Sequence, residues 1–151
     1  MSNPRVIAPV IRQGKNTTSA ALVKGKLVNV KASNTVDDEV EDMDATDTFF
    51  GVVAETSIAV GAYGDIQTEG RALVLAGGSV AVGDKVASDA SGDGVTASAG
   101  TTVVGTAMTA GTDGELFEVE LNKGEPVFPL VEGTGITLTP NADGTYTIAV
   151  S

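Results

Sequence analysis

Short apolar runs, separated by glycine and acidic turn residues, recur along the chain from Leu22 onward. Within the runs apolar and polar side chains alternate, or Val, Ile and Thr dominate, and turn residues return about every eight to twelve positions. This pattern is typical of a β-sandwich or β-barrel. The predicted strands lie near residues 22–30, 48–55, 65–68, 71–76, 84–88, 94–98, 102–108, 115–121, 135–139 and 145–150. The sequence therefore predicts an all-β fold.

Three parts are predicted along the chain: an extended basic N-terminal arm at 1–20, a small β-barrel or sandwich body at 21–124, and a C-terminal β-hairpin appendage at 125–151. In the last part, apolar and polar residues alternate on both sides of a Pro-Asn-Ala-Asp-Gly turn, which is a strong hairpin signal. Pro126 and Pro129 precede the hairpin and indicate a stiff connector.

The first 20 residues combine features that prevent compact structure with a group of apolar side chains. Prolines, Gly14 and a polar run at 16–19 favour an extended arm that is ordered only by what it lies on. Aliphatic side chains in such an arm need a partner to cover them, and flanking arginines suit carboxylates on that partner. The predicted partner-binding residues are Arg5, Val6, Ile7, Val10, Ile11 and Arg12.

The segment 37–47 holds seven of the 20 acidic residues of the chain. This density favours a solvated loop, and at most one short helix is expected there. Calcium binding is an alternative because carboxylates are the ligands that Ca²⁺ prefers, but the ligand spacing and central glycine of an EF-hand loop are missing. The Asp-Gly stretches at 89–94 and 111–114 are interpreted as tight turns.

A short repeat joins Ser57–Gly61 and Ser79–Gly83, which share Ser-(Ile/Val)-Ala-Val-Gly and begin 22 residues apart. Each copy leads into a predicted strand. Duplication and the chance recurrence of a strand end with its turn glycine both explain it, and two copies are too few for a solenoid.

Composition excludes several classes of chemistry. The chain has no Cys and no His, so it lacks disulfides, thiolate nucleophiles and the usual zinc ligands. No Ser-x-x-Lys spacing and no phosphate-binding loop occur, and no apolar run is long enough to cross a membrane. We therefore expect no enzymatic activity, no cofactor and no membrane partner. Aromatic residues make up only 4%, so the core should consist mainly of Val, Ala, Leu and Ile and should gain from self-association.

Charge is divided unevenly along the chain. Residues 1–31 contain six of the nine basic residues and no acid, so the other 120 residues carry three basic and 20 acidic residues, a net charge of −17. An acidic body repels nucleic acid, and the arm has no aromatic side chain to stack on bases. Nucleic acid is therefore not predicted as a partner.

Six short pieces between Phe50 and Leu121 follow one another as predicted strands and turns. They are Phe50-Gly51-Val52-Val53, Gly70-Arg71-Ala72-Leu73-Val74, Gly83-Asp84-Lys85-Val86-Ala87-Ser88-Asp89, Gly94-Val95-Thr96, Val104-Gly105-Thr106-Ala107 and Leu116-Phe117-Glu118-Val119-Glu120-Leu121. This order resembles the small capsid decoration, or cement, proteins of tailed bacteriophages. The resemblance covers about half the chain and leaves out the arm and the C-terminal hairpin.

This resemblance implies a structural protein of the virion, made in the cytoplasm of the host bacterium and bound to the outer surface of an expanded capsid. Its implied partners are the major capsid protein and further copies of itself, as a homotrimer. The alternative is a module of a surface fibre or adhesin that binds host carbohydrate or protein. The scarcity of aromatic side chains weighs against sugar binding, whereas the appended hairpin would suit a displayed tip.

Overall fold

The computed structural model describes residues 9–31, 38–122, 136–140, 142 and 146–150. Within these ranges the chain forms strands and turns and no helix, which confirms the predicted all-β fold. The strands are β1 Val10–Asn16, β2 Leu22–Val23, β3 Leu27–Val30, β4 Glu39–Asp42, β5 Phe49–Val53, β6 Ser57–Ile58, β7 Tyr63–Leu75, β8 Lys85–Ser88, β9 Gly94–Thr96, β10 Val103–Ala107, β11 Leu116–Leu121, β12 Ile136–Pro140 and β13 Tyr146–Val150.

Five strands close into a barrel, here called the first barrel. Its strand order is β1-β4-β3-β5-β7, and β7 returns to pair with β1. The β1–β4 pair is parallel and the other pairs are antiparallel. Closure removes most of the free strand edges that an open sheet of this size would expose.

Strand β7 continues from the first barrel into a second sheet. Its residues 70–75 pair with β11, and the order then runs β11-β10-β8-β9. An isolated parallel bridge from Ala76 to Gly94 joins the two ends of this sheet. Glu69 is the last residue of β7 that pairs with β1, and Gly70 follows it with φ 88°. The strand therefore passes from the first barrel to the second sheet at a glycine, which accepts positive φ without strain.

Four tight turns share one geometry. In each, a glycine at the third position has φ between 76° and 90°, and the fourth residue donates its N–H to the carbonyl of the first, as in a type II turn. Each glycine also donates its N–H to the carbonyl of a partner residue at, or just after, the end of a neighbouring strand. The N–H of that partner donates to the carbonyl of the residue that follows the glycine. The four glycines and their partners are Gly25 with Val53, Gly61 with Asn16, Gly83 with Ala107 and Gly114 with Ala76.

These turns reveal an internal duplication of residues 10–69, the first half, in residues 70–122, the second half. The equivalent elements are β1 and the end of β7, β3 and β8, β4 and β9, β5 and β10, and the start of β7 and β11. The register agrees from Ile11 to Lys15: Lys15 lies opposite Tyr63 as Leu75 lies opposite Leu116. The two copies of the sequence repeat end in the turns at Gly61 and Gly83. These turns are not equivalent in the duplication, because Gly61 corresponds to Gly114 and Gly83 corresponds to Gly25.

Each half has its own hydrophobic core. One core lies inside the first barrel, and the other lies inside the second sheet and also takes residues from the outer surface of the first barrel. Val, Ala, Leu and Ile dominate both, as the composition predicts, and Phe117 is the largest fully buried side chain. The first core consists of Leu22, Val28, Val40, Val53, Ile58 and Ile66.

The structure places residues 10–20 in the first barrel rather than in an extended arm. Strand β1 has few large apolar residues because small groups fill its inward positions: a Cβ at Gly14 would lie 2.8 Å from Ile66 Cγ1. Asn16 is fully buried, and its amide donates to the carbonyls of Ala20 and Ile58 at 2.8 and 2.9 Å. The predicted arm is therefore restricted to the residues before Pro9, and residues 1–8 lie outside the described ranges.

The acidic segment contains a strand where we expected a loop or a short helix. Glu39 and Glu41 point outward from β4, whereas Val40 and Met43 are fully buried. The two strands predicted at 65–68 and 71–76 are one strand, β7, and the strand predicted at 22–30 is broken by the turn at Gly25. The C-terminal hairpin is confirmed, since β12 and β13 pair antiparallel with Ile136 opposite Val150.

Candidate interaction surface

The start of β1 presents apolar and basic side chains on the surface of the first barrel. Val10 is 37% and Ile11 44% exposed, and Arg12 is exposed beside them. All three are residues of the predicted arm. Their neighbours Arg5, Val6 and Ile7 lie outside the described residues, so the structure brings together only the second part of the predicted site.

One edge of β1 lacks a paired strand among the described residues over most of its length. Alternate residues of a strand direct their main-chain groups to the same side. Lys15 donates its N–H to Asp38 on the β4 side, so Ile11 and Gln13 direct theirs to that side too. Strand β4 covers this edge at Lys15 and Asn16. Residues 32–37, which precede β4, lie outside the described ranges.

The sequence did not single out Gln13, because it is polar and lies between the aliphatic group and Gly14. Its side-chain amide donates to the Asp65 carboxylate on β7, which fixes it on the outer surface of the barrel. The sequence has no apolar alternation at Gln13, Gly14 and Asn16 that could have extended the strand to this point.

A charged contact joins the two halves away from this edge. Lys26 Nζ lies 2.7 Å from Asp93 Oδ1 and donates to the Ser91 carbonyl at 2.9 Å. Leu27 donates its N–H to Gly92 O in the same loop at 2.7 Å. Here burial raises the pKa of the Asp42 carboxyl above 3.8, Lys26 opposes the rise, and Asp93 and Glu41 add to it.

Two grooves of the described surface are open and have polar as well as apolar walls. One, of about 240 Å³, lies between Lys24, the end of β5 and the Arg71–Leu73 edge of β7. Another, of about 400 Å³, lies between Asn29, Val30 and the segment Asp47–Phe50. Ligand pockets usually enclose most of a small molecule, and neither groove brings together groups suited to catalysis.

Other candidate chemistry finds no support in the described part of the chain. No three acidic residues there gather into a group that could hold a metal ion. In the segment 37–47 the side chains of Asp44 and Asp47 instead bond to main-chain N–H groups of the local turn. Asp89 likewise accepts the N–H groups of Ser91 and Asp93, as expected of a tight turn. The same ranges contain no helix of a length and polarity that would cross a bilayer.

Comparison with known proteins supports one family. The sequence profile of the phage cement proteins matches residues 11–122, which include β1 and both halves of the duplication. Among solved structures, the N base of the head fiber gp8.5 of bacteriophage phi29 superposes with a TM-score of 0.61 at 17% identity, over 76% of this chain and 95% of that one. No significant match was found among curated proteins. The chain belongs to the phage cement protein family.

Proposed function

We propose that this protein binds the outer surface of an expanded phage capsid and stabilises it, with no catalytic role. The observation that carries the proposal is the family match over the whole double β body, from Ile11 to Asn122. A protein that binds the expanded lattice, but not its unexpanded or dissociated forms, stabilises it by RT ln(1 + [L]/Kd) per site, or about 2.7 kcal/mol at a hundredfold excess over Kd.

The proposed capsid contact is the start of β1 together with the residues before it. Val10 and Ile11 offer apolar surface there to a segment of the major capsid protein. Arg12 adds a positive charge to a body that is otherwise acidic and so favours carboxylates on the partner. Several copies acting together, as a homotrimer, would add avidity.

The experiment is co-sedimentation of the purified protein with expanded and unexpanded capsids that lack it. We expect saturable binding to expanded particles and a higher temperature of particle disruption. The double variant Val10→Ser/Ile11→Ser should bind more weakly while unfolding like the native protein, because both side chains are exposed. Val60→Ser/Val82→Ser removes two exposed valines from turns elsewhere and is the matched control. Equal binding to unexpanded particles, or none to either, would contradict the proposal.

A second candidate function is a base that carries a fibre or adhesin. The similarity to the base of a phage head fiber favours it, as does the hairpin that follows the double β body. In this role the body would hold the protein on the particle and the C-terminal part would contact host carbohydrate or protein. Copy number separates the two: many copies spread over each capsid support the decoration role, and a few copies at the tail support the adhesin.

A further inference from the structure

The outer face of the second sheet carries an apolar group that neither core absorbs. Leu73 on β7 is 40% exposed, Leu116 on β11 is 42% exposed, and Leu75 lies opposite Leu116. Met108 is exposed directly after the next strand, β10, where its N–H bonds to Glu118 O, so Glu118 lies between it and Leu73. We call the four apolar residues the leucine face. Adjacent exposed apolar side chains on neighbouring strands are unusual unless something covers them.

The internal duplication provides a control for this face within the same molecule. The turn equivalences place Leu73 where the first half has Gln13, and Leu75 where it has Lys15. The same fold therefore accepts polar side chains at these positions. Leu75 and Leu116 lie against the turn at Gly25 and so serve the contact between the two halves. Leu73 and Leu116 nevertheless stay 40% and 42% exposed, and this remaining apolar surface has no counterpart at Gln13 in the first half.

The charges around the leucine face have both signs. Arg71 lies 3.6 Å from Glu120 and 3.9 Å from Glu118, and its side chain remains half exposed. Lys24 lies across the groove from Leu73. Most of the body is acidic, so two copies repel each other over most approaches. They can meet where the local charge is balanced and where an arginine of one copy can pair with a glutamate of the other.

We propose that the leucine face, with Arg71, Glu118 and Glu120 at its border, contacts a second copy of this chain. The inference rests on the proposed self-association and assigns a surface to it. A contact between copies buries the leucines against apolar surface of the neighbour, and the exchange of ion pairs between Arg71 and the glutamates sets its register.

The test is sedimentation equilibrium of the full chain at tens of micromolar. The native protein should associate above its 15.1-kDa monomer mass, and Leu73→Gln/Met108→Gln should raise the dissociation constant about tenfold or more. Both side chains are exposed, so the variant should keep the native unfolding midpoint. The control Val60→Ser/Val82→Ser, which also removes two exposed apolar side chains, should associate normally. A monomeric native protein, or normal association of the leucine-face variant, overturns the proposal.

A charge exchange tests the contact by gain of binding. Arg71→Glu alone and Glu118→Arg/Glu120→Arg alone should each associate poorly, and a mixture of the two should associate as mixed oligomers. Failure of the mixture to associate would contradict exchange of ion pairs between copies.

Capsid co-sedimentation keeps this inference separate from the proposed function. If the native protein is monomeric and the leucine-face variant loses capsid binding, the face contacts the capsid and the self-contact is wrong. If the protein self-associates without binding capsids, only the proposed function fails.

Discussion

Glycine at single positions decides how closely strands of this protein approach. A Cβ at Gly105 would lie 2.1 Å from Glu120 O on the paired strand, a distance that only movement of the backbone can relieve. We therefore expect Gly105→Ala to lower the free energy of unfolding by about 1 to 3 kcal/mol. Gly78→Ala is the control, because nothing lies within 4 Å of a Cβ there, and it should change stability by less than about 0.5 kcal/mol. Urea unfolding of both variants measures the difference, and equal midpoints would contradict the steric explanation.

At Asp42 a single carboxyl links stability to pH. Burial raises its pKa above 3.8, so in the interval above 3.8 the folded protein holds a proton that the unfolded chain has released. The free energy of unfolding therefore falls as pH rises through that interval, and the ionised carboxylate destabilises the protein at neutral pH. Asp42→Asn should stabilise the protein at pH 7, and this gain should disappear below pH 3.8, where Asp42 is protonated in both states.

Urea unfolding over this pH range checks the Asp42 prediction. The control is Asp113→Asn, which removes one negative charge from an exposed turn and tests for a general effect of net charge. If both variants gain equally at pH 7, the effect belongs to the net charge of −11 rather than to the burial of Asp42. A loss of stability in Asp42→Asn at every pH would show that the carboxylate is needed by its neighbours.

At the scale of elements, the four type II turns fix where β3, β7, β8 and β11 begin. Gly83 has φ 89° with open space around a Cβ, so Gly83→Ala should cost about 1 to 2 kcal/mol from backbone strain alone. Gly83→Asn should cost less, because Asn accepts this conformation more readily. Gly25→Ala should cost the most, since its Cβ would also lie 2.6 Å from Leu75 N. Thermal unfolding ranks the three, and equal losses at Gly25 and Gly83 would contradict the close contact.

Strands with large alternating apolar residues could be predicted from the sequence, and strands that meet the core through small or sparse side chains could not. Strands β8, β10 and β11 match the prediction because Val, Ala, Phe and Leu point inward from them. Strand β1 was taken for an arm because Gly14 and Asn16 fill its inward positions. Strand β4 was hidden because the buried residues Val40, within it, and Met43, just after it, stand among the acidic residues Glu39, Glu41 and Asp42. In β1 the buried residues are not typical of a core, and in β4 the polar neighbours outnumber the buried apolar residues.

At the scale of the whole molecule, the duplication was beyond the reach of the sequence because its halves share turn geometry and register far more than residue identity. One five-residue repeat was visible, and it joined turns that are not equivalent. The binding role of the predicted arm residues stays a prediction: Val10, Ile11 and Arg12 are exposed, and Arg5, Val6 and Ile7 lie outside the described residues. The leucine face could have been suspected from Ala72–Leu75, where apolar residues occupy both faces of a strand. Its significance depends on the comparison with Gln13, which only the fold provides.

The last prediction separates the arm from the barrel. Deletion of residues 2–8 leaves all of β1 in place, so the free energy of unfolding should change by less than about 0.5 kcal/mol. Deletion of residues 2–14 removes most of β1 and opens the first barrel, so the protein should unfold or aggregate. Only the shorter deletion therefore tests the role of the arm in capsid binding.

We expect the deletion of residues 2–8 to lower capsid occupancy without unfolding the body. Covering Val6 and Ile7 on a capsid subunit is worth about 1.5 to 3 kcal/mol each. The effect should be clearest near the dissociation constant, where occupancy responds most to affinity. Co-sedimentation over a range of protein concentrations measures it, with Arg5→Ala as a milder variant that removes one charge and keeps the aliphatic pair. Unchanged occupancy would show that the start of β1 and the body carry the whole contact, since the deleted residues would then contribute nothing that the capsid covers.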